Sequence, residues 1–477
     1  MSLTPLWSSA EVAKVLDCRE EASWQCQGVS IDSRTVEAGD LFFALIGPHS
    51  DGHDYVKMAV ARGAVAAVVS KPVKGLDPKF QVKVDDVQQA LNKLGEAGRA
   101  RVDIPIIAVT GSVGKTGTKE ALKCALSRNK KVHASVLSYN NDIGVPLSLA
   151  RMPRDVDYGI FELGMNHAGE LGPLSKMVRP HVAMITTVEL AHSEFFENIE
   201  AIADAKAEIF EGLEPGGTVI LNHDNPQFTR LSDAAKTRGI DHIISFGSDE
   251  SAHIHVIRQV FHPTCSCVIA QVMGQIMTFK VGMLGHHWVM NSLAILGAVK
   301  AVNGDLGLAG LGLAEMQPLK GRGRRHQIFL DPTNEASILL IDESYNANPA
   351  SMRAALQTLQ QTTPQHKVRR IAVLGDMGEL GDQSAMLHAA LADVLKEKNI
   401  DRVYMVGPQM KHLSDRLDKF RNAGHFPDRE ALESALLRDL RSGDVVMVKG
   451  SNASGMGKVV DKILDLEEPV AKQAAAG

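Results

Sequence analysis

Pro105 to Lys119 reads PIIAVTGSVGKTGTK, and this stretch decides the fold. Its first half, Ile106, Ile107, Ala108 and Val109, is an unbroken apolar run of the kind carried by a parallel strand buried on both faces. A glycine-bearing turn follows, made of Gly111, Ser112, Val113 and Gly114. Lys115 and Thr116 then open a helix whose Ala121, Leu122, Ala125 and Leu126 fall on one face. Strand, turn and helix in this order form a phosphate cradle: backbone amides and the helix N-terminus face anionic oxygens, the lysine ammonium bridges terminal phosphates, and the threonine hydroxyl can ligate magnesium. The usual loop places its first glycine five residues ahead of the second, which here would be Val109. The loop is therefore a shortened one. An ordinary strand-to-helix turn that happens to hold glycines and a lysine is the weaker reading, because the strand and helix the motif requires are both in place.

The 477 residues exceed what one core holds, so about three domains are expected. A hydrophobic content of 44% against 22% charged residues predicts a globular protein. The net charge of −5 gives no reason to expect a nucleic acid or a membrane surface as partner, which leaves the loop to a small nucleotide. Cys18, Cys26, Cys124, Cys265 and Cys267 show no paired metal-ligand spacing, and a reducing cytoplasm fits them. The first residues lack a basic region followed by an apolar core, and no run approaches 18 apolar residues, so neither export nor a membrane span is expected.

Outward from the loop, the chain divides into residues 1–100, 101–318 and 319–477. The first part reads as a small α/β unit interrupted by two polar runs, SIDSR with Ser33 and Arg34, and DGHDY from Asp51; taken alone these are turn and capping residues. The central part alternates buried strands and helices like a doubly wound parallel sheet, with shorter antiparallel strands from about 252 to 283. Ligand-binding residues in such sheets lie at the C-terminal ends of the strands, which picks out Glu162 and His192; each could bind magnesium. The last part begins with a basic linker, KGRGRRH, and returns to strand and helix in a Rossmann-like pattern.

Asn198 to Leu213 reads as one helix whose Ile199, Ile202, Ala203, Ile209, Phe210 and Leu213 recur at spacings of three and four. Lys206 falls inside that stripe. It must snorkel, find an acidic partner, lose its proton or be chemically changed.

Several motifs in one order resemble the Mur ligase family of cell-wall amide-forming enzymes: TGSVGKT, NNDIGVP from Asn140, ELGMNHAGE from Glu162, AHSEFF from Ala191, DAKAEIF from Asp204, DESYNANP from Asp342, LGDMGELG from Leu374, VKGS from Val448, and SIDSR. The resemblance covers all three parts of the chain and is similar to the branch that adds a dipeptide to a muramoyl tripeptide. It implies an ATP-dependent ligase, active as a monomer, with UDP-N-acetylmuramoyl-tripeptide and D-alanyl-D-alanine as substrates and ATP and Mg2+ as cofactors. It also implies roles. Lys115 would hold the β and γ phosphates, Thr116 and Glu162 one magnesium ion, and His192 a second; Lys206 would carry a carbamate serving that second ion. Asn140 and Asn141 would lie near the muramoyl peptide, Asn291 at the adenine, Arg322 at the interdomain Gly-Arg motif, and Ser33 with Arg34 at the uridine diphosphate.

Three features depart from the family pattern. Trp288 stands where an asparagine commonly follows the histidine, Arg324 and Arg325 share the linker with Arg322, and Glu343 replaces an aspartate whose role would be the ribose. Related ligases that add a diamino acid or extend folate are rivals, opposed by the NANP motif, and a nucleotide-driven switch is a rival of another class.

Overall fold

The computed structural model describes residues 4–136, 138–190, 194–331, 336–362 and 369–466. Three of its sheets define three α/β domains. The first has four parallel strands in chain order, Gly28–Ser30, Asp40–Phe43, Ala66–Val69 and Gln81–Lys83. The helix Val87–Ala100 follows and packs on the helix Gly144–Ala150 of the second domain. The two approach so closely that a Cβ on Gly98 would stand 2.3 Å from the Leu149 carbonyl oxygen. Trp7 adds an indole hydrogen bond of 2.8 Å to the Ala150 carbonyl, with the Arg101 guanidinium 3.8 Å above its ring.

The second domain is built on a nine-stranded sheet. Ile106–Thr110 lies inside it, paired in parallel with Tyr158–Glu162 on one side and Val182–Ile185 on the other. All five of its residues are buried, as the apolar run requires. Helices Lys115–Leu126 and His286–Ala301 cover one face; Gly144–Ala150, Leu171–Val178 and Ile199–Ala207 cover the other. The expected antiparallel addition is present as Ile254–Phe261, Ser266–Val272 and Gln275–Val281. Cys267 lies in the middle one, and all five thiols are free.

The single helix expected from Asn198 to Leu213 is divided. Asn198 caps an α-helix that ends at Ala207, and Glu208–Gly212 forms a tighter 3-10 turn. The reason is tertiary: Ser175 Oγ donates to the Ile209 carbonyl and accepts from Gly212 N at 3.2 Å, drawing this backbone against the helix Leu171–Val178.

The third domain holds six strands in the order Arg324–Asp331, Ala336–Glu343, Val445–Lys449, Arg370–Gly375, Arg402–Val406 and Asn422–Phe426. The first pair is antiparallel and the rest parallel. The linker expected as KGRGRRH is thus shorter than it reads, since Arg324, Arg325 and His326 pair with Asp342, Ile341 and Leu340. Only the segment up to Gly323 is left as connection. Gly321 and Gly323 take left-handed φ of 76° and 88°, and the Asp342 carboxylate grips the Gly321 amide at 2.7 Å.

Candidate active site

The phosphate loop sits at the C-terminal end of Ile106–Thr110, where the sheet order reverses and open α/β sheets bind their ligands. Gly111 has a φ of 148°, and a Cβ there would meet Thr186 Oγ1 at 1.9 Å. Gly114 caps the helix with a φ of 90°. Neighbouring chain fixes the turn between them: Ser112 N donates to the Thr187 carbonyl at 2.9 Å, Ser112 Oγ to the Glu189 carbonyl at 3.0 Å, and Thr186 Oγ1 to the Val113 carbonyl at 2.6 Å. The loop is preorganised before any ligand arrives. Lys115 Nζ folds back on the Gly111 carbonyl at 2.7 Å. Burial pushes its pKa down, while Glu162 opposes that fall.

Glu162 ends the adjacent strand and is 1% exposed. Its Oε1 accepts from Asn140 Nδ2 at 2.8 Å, and its Oε2 is buried without a hydrogen-bond partner among the described residues. A buried carboxylate oxygen left unpaired is costly unless a cation takes it. Thr116 Oγ1 is 3.3 Å from Ser138 Oγ. The donor set of hydroxyl and carboxylate oxygen is one magnesium accepts. Lys206 is 2% exposed, with no hydrogen bond or ion pair to its ammonium among the described residues. Burial, and then the charge of Lys115, drive its pKa well below the ordinary lysine value. Of the four outcomes open to this residue, snorkelling and an acidic partner are excluded among the described residues. His192 lies outside the described residues.

The third domain supplies the opposite wall. The Arg322 guanidinium lies 4.0 Å from the Tyr345 ring centroid, with its Nη2 3.5 Å from Ser138 Oγ, and the Tyr345 hydroxyl donates to the same oxygen at 3.0 Å. Ser138 therefore joins Thr116 to both residues. Arg325 points elsewhere, to the Pro263 carbonyl at 2.8 Å and Thr362 Oγ1 at 3.1 Å, while Arg324 opens the edge strand. Arg322 is the linker arginine at the loop. Glu343 Oε2 is 3.6 Å from Lys449 Nζ; burial raises the Glu343 pKa and Lys449 pulls it back. From the loop after Arg370–Gly375, the Glu379 carbonyl accepts from Glu194 N at 3.3 Å.

Lys115, Thr116, Glu162 and Asn140 are thus brought together, and Asn291 reaches the loop, its Nδ2 3.1 Å from where a Cβ on Gly114 would stand. Asn141 is used differently: its Oδ1 accepts from Gly144 N at 2.9 Å and holds the start of the next helix. Ser33 is buried in the first domain, and Arg34 is exposed and paired with Asp32 at 2.7 Å. Ser138 and Tyr345 escaped the sequence reading. Tyr345 lies within DESYNANP and Ser138 two residues before Asn140, so both were beside recognised motifs, but only the folded chain joins them.

Three family descriptions match in chain order: the Mur ligase family, catalytic domain, over residues 25–105; the Mur ligase middle domain, over 109–299; and the Mur ligase, glutamate ligase domain, over 324–452. The chain belongs to the Mur ligase family. The UDP-N-acetylmuramoyl-tripeptide--D-alanyl-D-alanine ligase of Rickettsia prowazekii (strain Madrid E) is 33% identical to it, over 96% of this chain and 99% of its own length. The enzyme of the same name from Escherichia coli (strain K12) is 34% identical over 91% and 92%. A crystal structure of MurF from Acinetobacter baumannii has a TM-score of 0.83 at 30% identity, covering 98% of this chain and all of that one.

Proposed function

We propose that this chain is an ATP-dependent ligase that joins D-alanyl-D-alanine to UDP-N-acetylmuramoyl-tripeptide during the synthesis of peptidoglycan precursors. The observation that carries this is the preorganised phosphate loop beside the buried, half-unpaired Glu162, closed from the far side by Arg322 and Tyr345. A carboxylate resists attack by an amine. The peptide carboxylate oxygen takes the γ-phosphoryl group of ATP as the bond to ADP breaks; the dipeptide amine then attacks the acyl carbon, and phosphate leaves with the acyl–oxygen electron pair. Lys115 offsets charge on the transferring group, and the loop amides orient it. Magnesium, where bound, supplies positive charge against the phosphate oxygens, with Thr116 and Glu162 as the residues that would hold it.

On this reading residues 1–100 take the UDP-sugar through Ser33 and Arg34, residues 101–318 take ATP, and residues 319–477 take the dipeptide. An exposed guanidinium next to short hydroxyl donors suits a diphosphate. Asn140, held against Glu162, lies on the path of the muramoyl peptide, with Asn141 supporting the turn; Asn291 faces the adenine and Glu343 the ribose. Lys206, buried without an anionic partner among the described residues, is suited to carbamylation: its neutral amine would add to carbon dioxide and lose a proton to give a carbamate, and that carbamate and His192 are the groups that would hold a second magnesium. The protein acts as a monomer in the cytoplasm, the compartment that holds ATP and UDP-linked precursors. Among the described residues no helix is long and apolar enough to cross a membrane.

The test is phosphate release from ATP by the purified full chain. Release that requires UDP-N-acetylmuramoyl-tripeptide and D-alanyl-D-alanine together is the expected result. Release independent of both would replace the ligase with a nucleotide-driven switch.

A further inference from the structure

Gly117 occupies the first turn of the phosphate-loop helix with an ordinary helical backbone, absent from the positive-φ glycines. Glycine in a helix costs about 1 kcal/mol against alanine, so its presence there calls for a reason. The reason is Trp288. A Cβ on Gly117 would stand 2.7 Å from Trp288 Cη2, 3.3 Å from Cζ2 and 3.4 Å from Cζ3. Those carbons form the outer edge of the six-membered ring, so the indole lies directly on the glycine. Trp288 as a residue is half-buried, packed on one side against the core of the second domain.

Trp288 and Asn291 are three residues apart, hence neighbours on one face of the helix His286–Ala301. Asn291 reaches the loop at Gly114 and Trp288 lies one step along, over Gly117. When the loop amides and Lys115 hold the phosphates of a nucleotide, its nucleoside must lie immediately outside the loop, within reach of the first turn of that helix. The Trp288 ring already touches that turn at Gly117.

We propose that the indole of Trp288 is the stacking platform for the base of the bound nucleotide, with Gly117 kept free of a side chain to seat it. This rests on the reading that the loop binds ATP. Every base offers a π-face, so an indole contributes affinity by stacking, without a hydrogen-bond pattern, and leaves base choice to groups such as Asn291.

Calorimetric titration of the full-length protein with ATP and with ribose 5′-triphosphate, which has no base, separates stacking from support of the loop. Trp288→Ala should weaken ATP by roughly 10-fold or more, yet change ribose 5′-triphosphate by under about 2-fold. Trp288→Phe should retain most of the affinity, and Gly117→Ala, whose methyl displaces the ring, should repeat the Trp288→Ala pattern. One arm needs no variant. Trp288 is one of three tryptophans, and Trp7 and Trp24 lie in the first domain, so ATP should quench the fluorescence of the unaltered protein while ribose 5′-triphosphate should not. Equal losses for both ligands, or equal quenching by both, would reduce the indole to a prop for the loop and overturn the proposal. ATP binding by the parent with no effect of Trp288→Ala would also overturn it, leaving ATP binding intact; failure of the parent to bind ATP at all would overturn the underlying reading as well.

Discussion

Replacing Glu162 by glutamine should move stability and activity in different directions. The side chain is 1% exposed, its Oε1 accepts from Asn140, and its Oε2 has no partner among the described residues. Leaving a buried acceptor unpaired costs roughly 1–3 kcal/mol, and more when it is charged. The amide keeps the shape and the bond from Asn140 while removing the charge. Against this, Lys115 loses an anionic neighbour, but it retains the Gly111 carbonyl. Without magnesium, Glu162→Gln should therefore be at least as stable as the parent, by up to about 1 kcal/mol. With magnesium at ten times its dissociation constant, the parent should gain about 1.4 kcal/mol by linkage and the variant close to none. Turnover should fall by roughly 100-fold or more, the scale of losing one preorganised charge-stabilising group. Urea denaturation with and without magnesium, beside the ligase rate, reads all three quantities. A metal-free loss above about 2 kcal/mol would assign Glu162 a structural partner, and an undiminished magnesium response would remove it from the metal site.

Asp342→Ala strips the acceptor from Gly321 N and from Ser344 N and Oγ, leaving two buried amides unpaired; the expected loss is roughly 3 kcal/mol, with Asp342→Asn costing less, and a loss under about 1 kcal/mol in denaturant would show that the linker is held by other contacts. Lys206→Ala should be nearly inactive and partly restored by formate or acetate, and bicarbonate should raise the melting temperature of the parent but not of this variant; near-parental activity without an additive would end the assignment. Burial holds the His133 imidazole down to about 4 from an ordinary 6.5, with its Nε2 2.8 Å from the Ser148 carbonyl oxygen. The unfolded chain therefore takes up the proton first as pH falls, so this contribution is present above the unfolded value and lost between 6.5 and 4. The loss amounts to about 2 kcal/mol by about pH 5. Denaturation curves of His133→Gln should show a shallower fall over that interval, and an identical fall would assign the pH dependence to other groups.

The parts of this site that could be read from sequence are those whose determinants are local. A strand buried on both faces must be apolar throughout, and a glycine–lysine–threonine turn acts through its own backbone, so Ile106 to Thr116 was legible without any tertiary information. Lys206 was legible because a stripe at helical spacing exposes the one residue that does not belong, although the end of its helix was set by Ser175 from another helix and could not be seen. Charge hid the strand Arg324–Asp331. An edge strand with one side open tolerates arginine and histidine, and those residues read as linker. The choice among Arg322, Arg324 and Arg325 needed the folded chain, since three arginines within four residues are equivalent until one is seen beside Ser138 and another beside Pro263. Trp288 was visible as a departure, but its partner Gly117 lies far away in sequence and gave no local signal.

The contacts between domains indicate which of them moves. Between the first and second, helix packs on helix at Gly98, the Trp7 indole bonds across to Ala150, and Arg101 donates to the Leu6 carbonyl at 2.7 Å and to the Met152 carbonyl. Those are buried or half-buried interactions distributed over a wide surface, and they make one body of the two. The third domain meets that body through side-chain contacts at Ser138 and Pro263 and a backbone bond at Glu194, and through a connection hinged at two left-handed glycines. On the proposed chemistry this division has a consequence. An acyl phosphate must be kept from water until the amine arrives, so the domain that brings the amine should also be the one that closes the site. Arg322 and Tyr345 can couple the two events. Both belong to the third domain, and both reach Ser138, the same hydroxyl that touches Thr116, so a ligand in the loop meets the group on which the third domain rests.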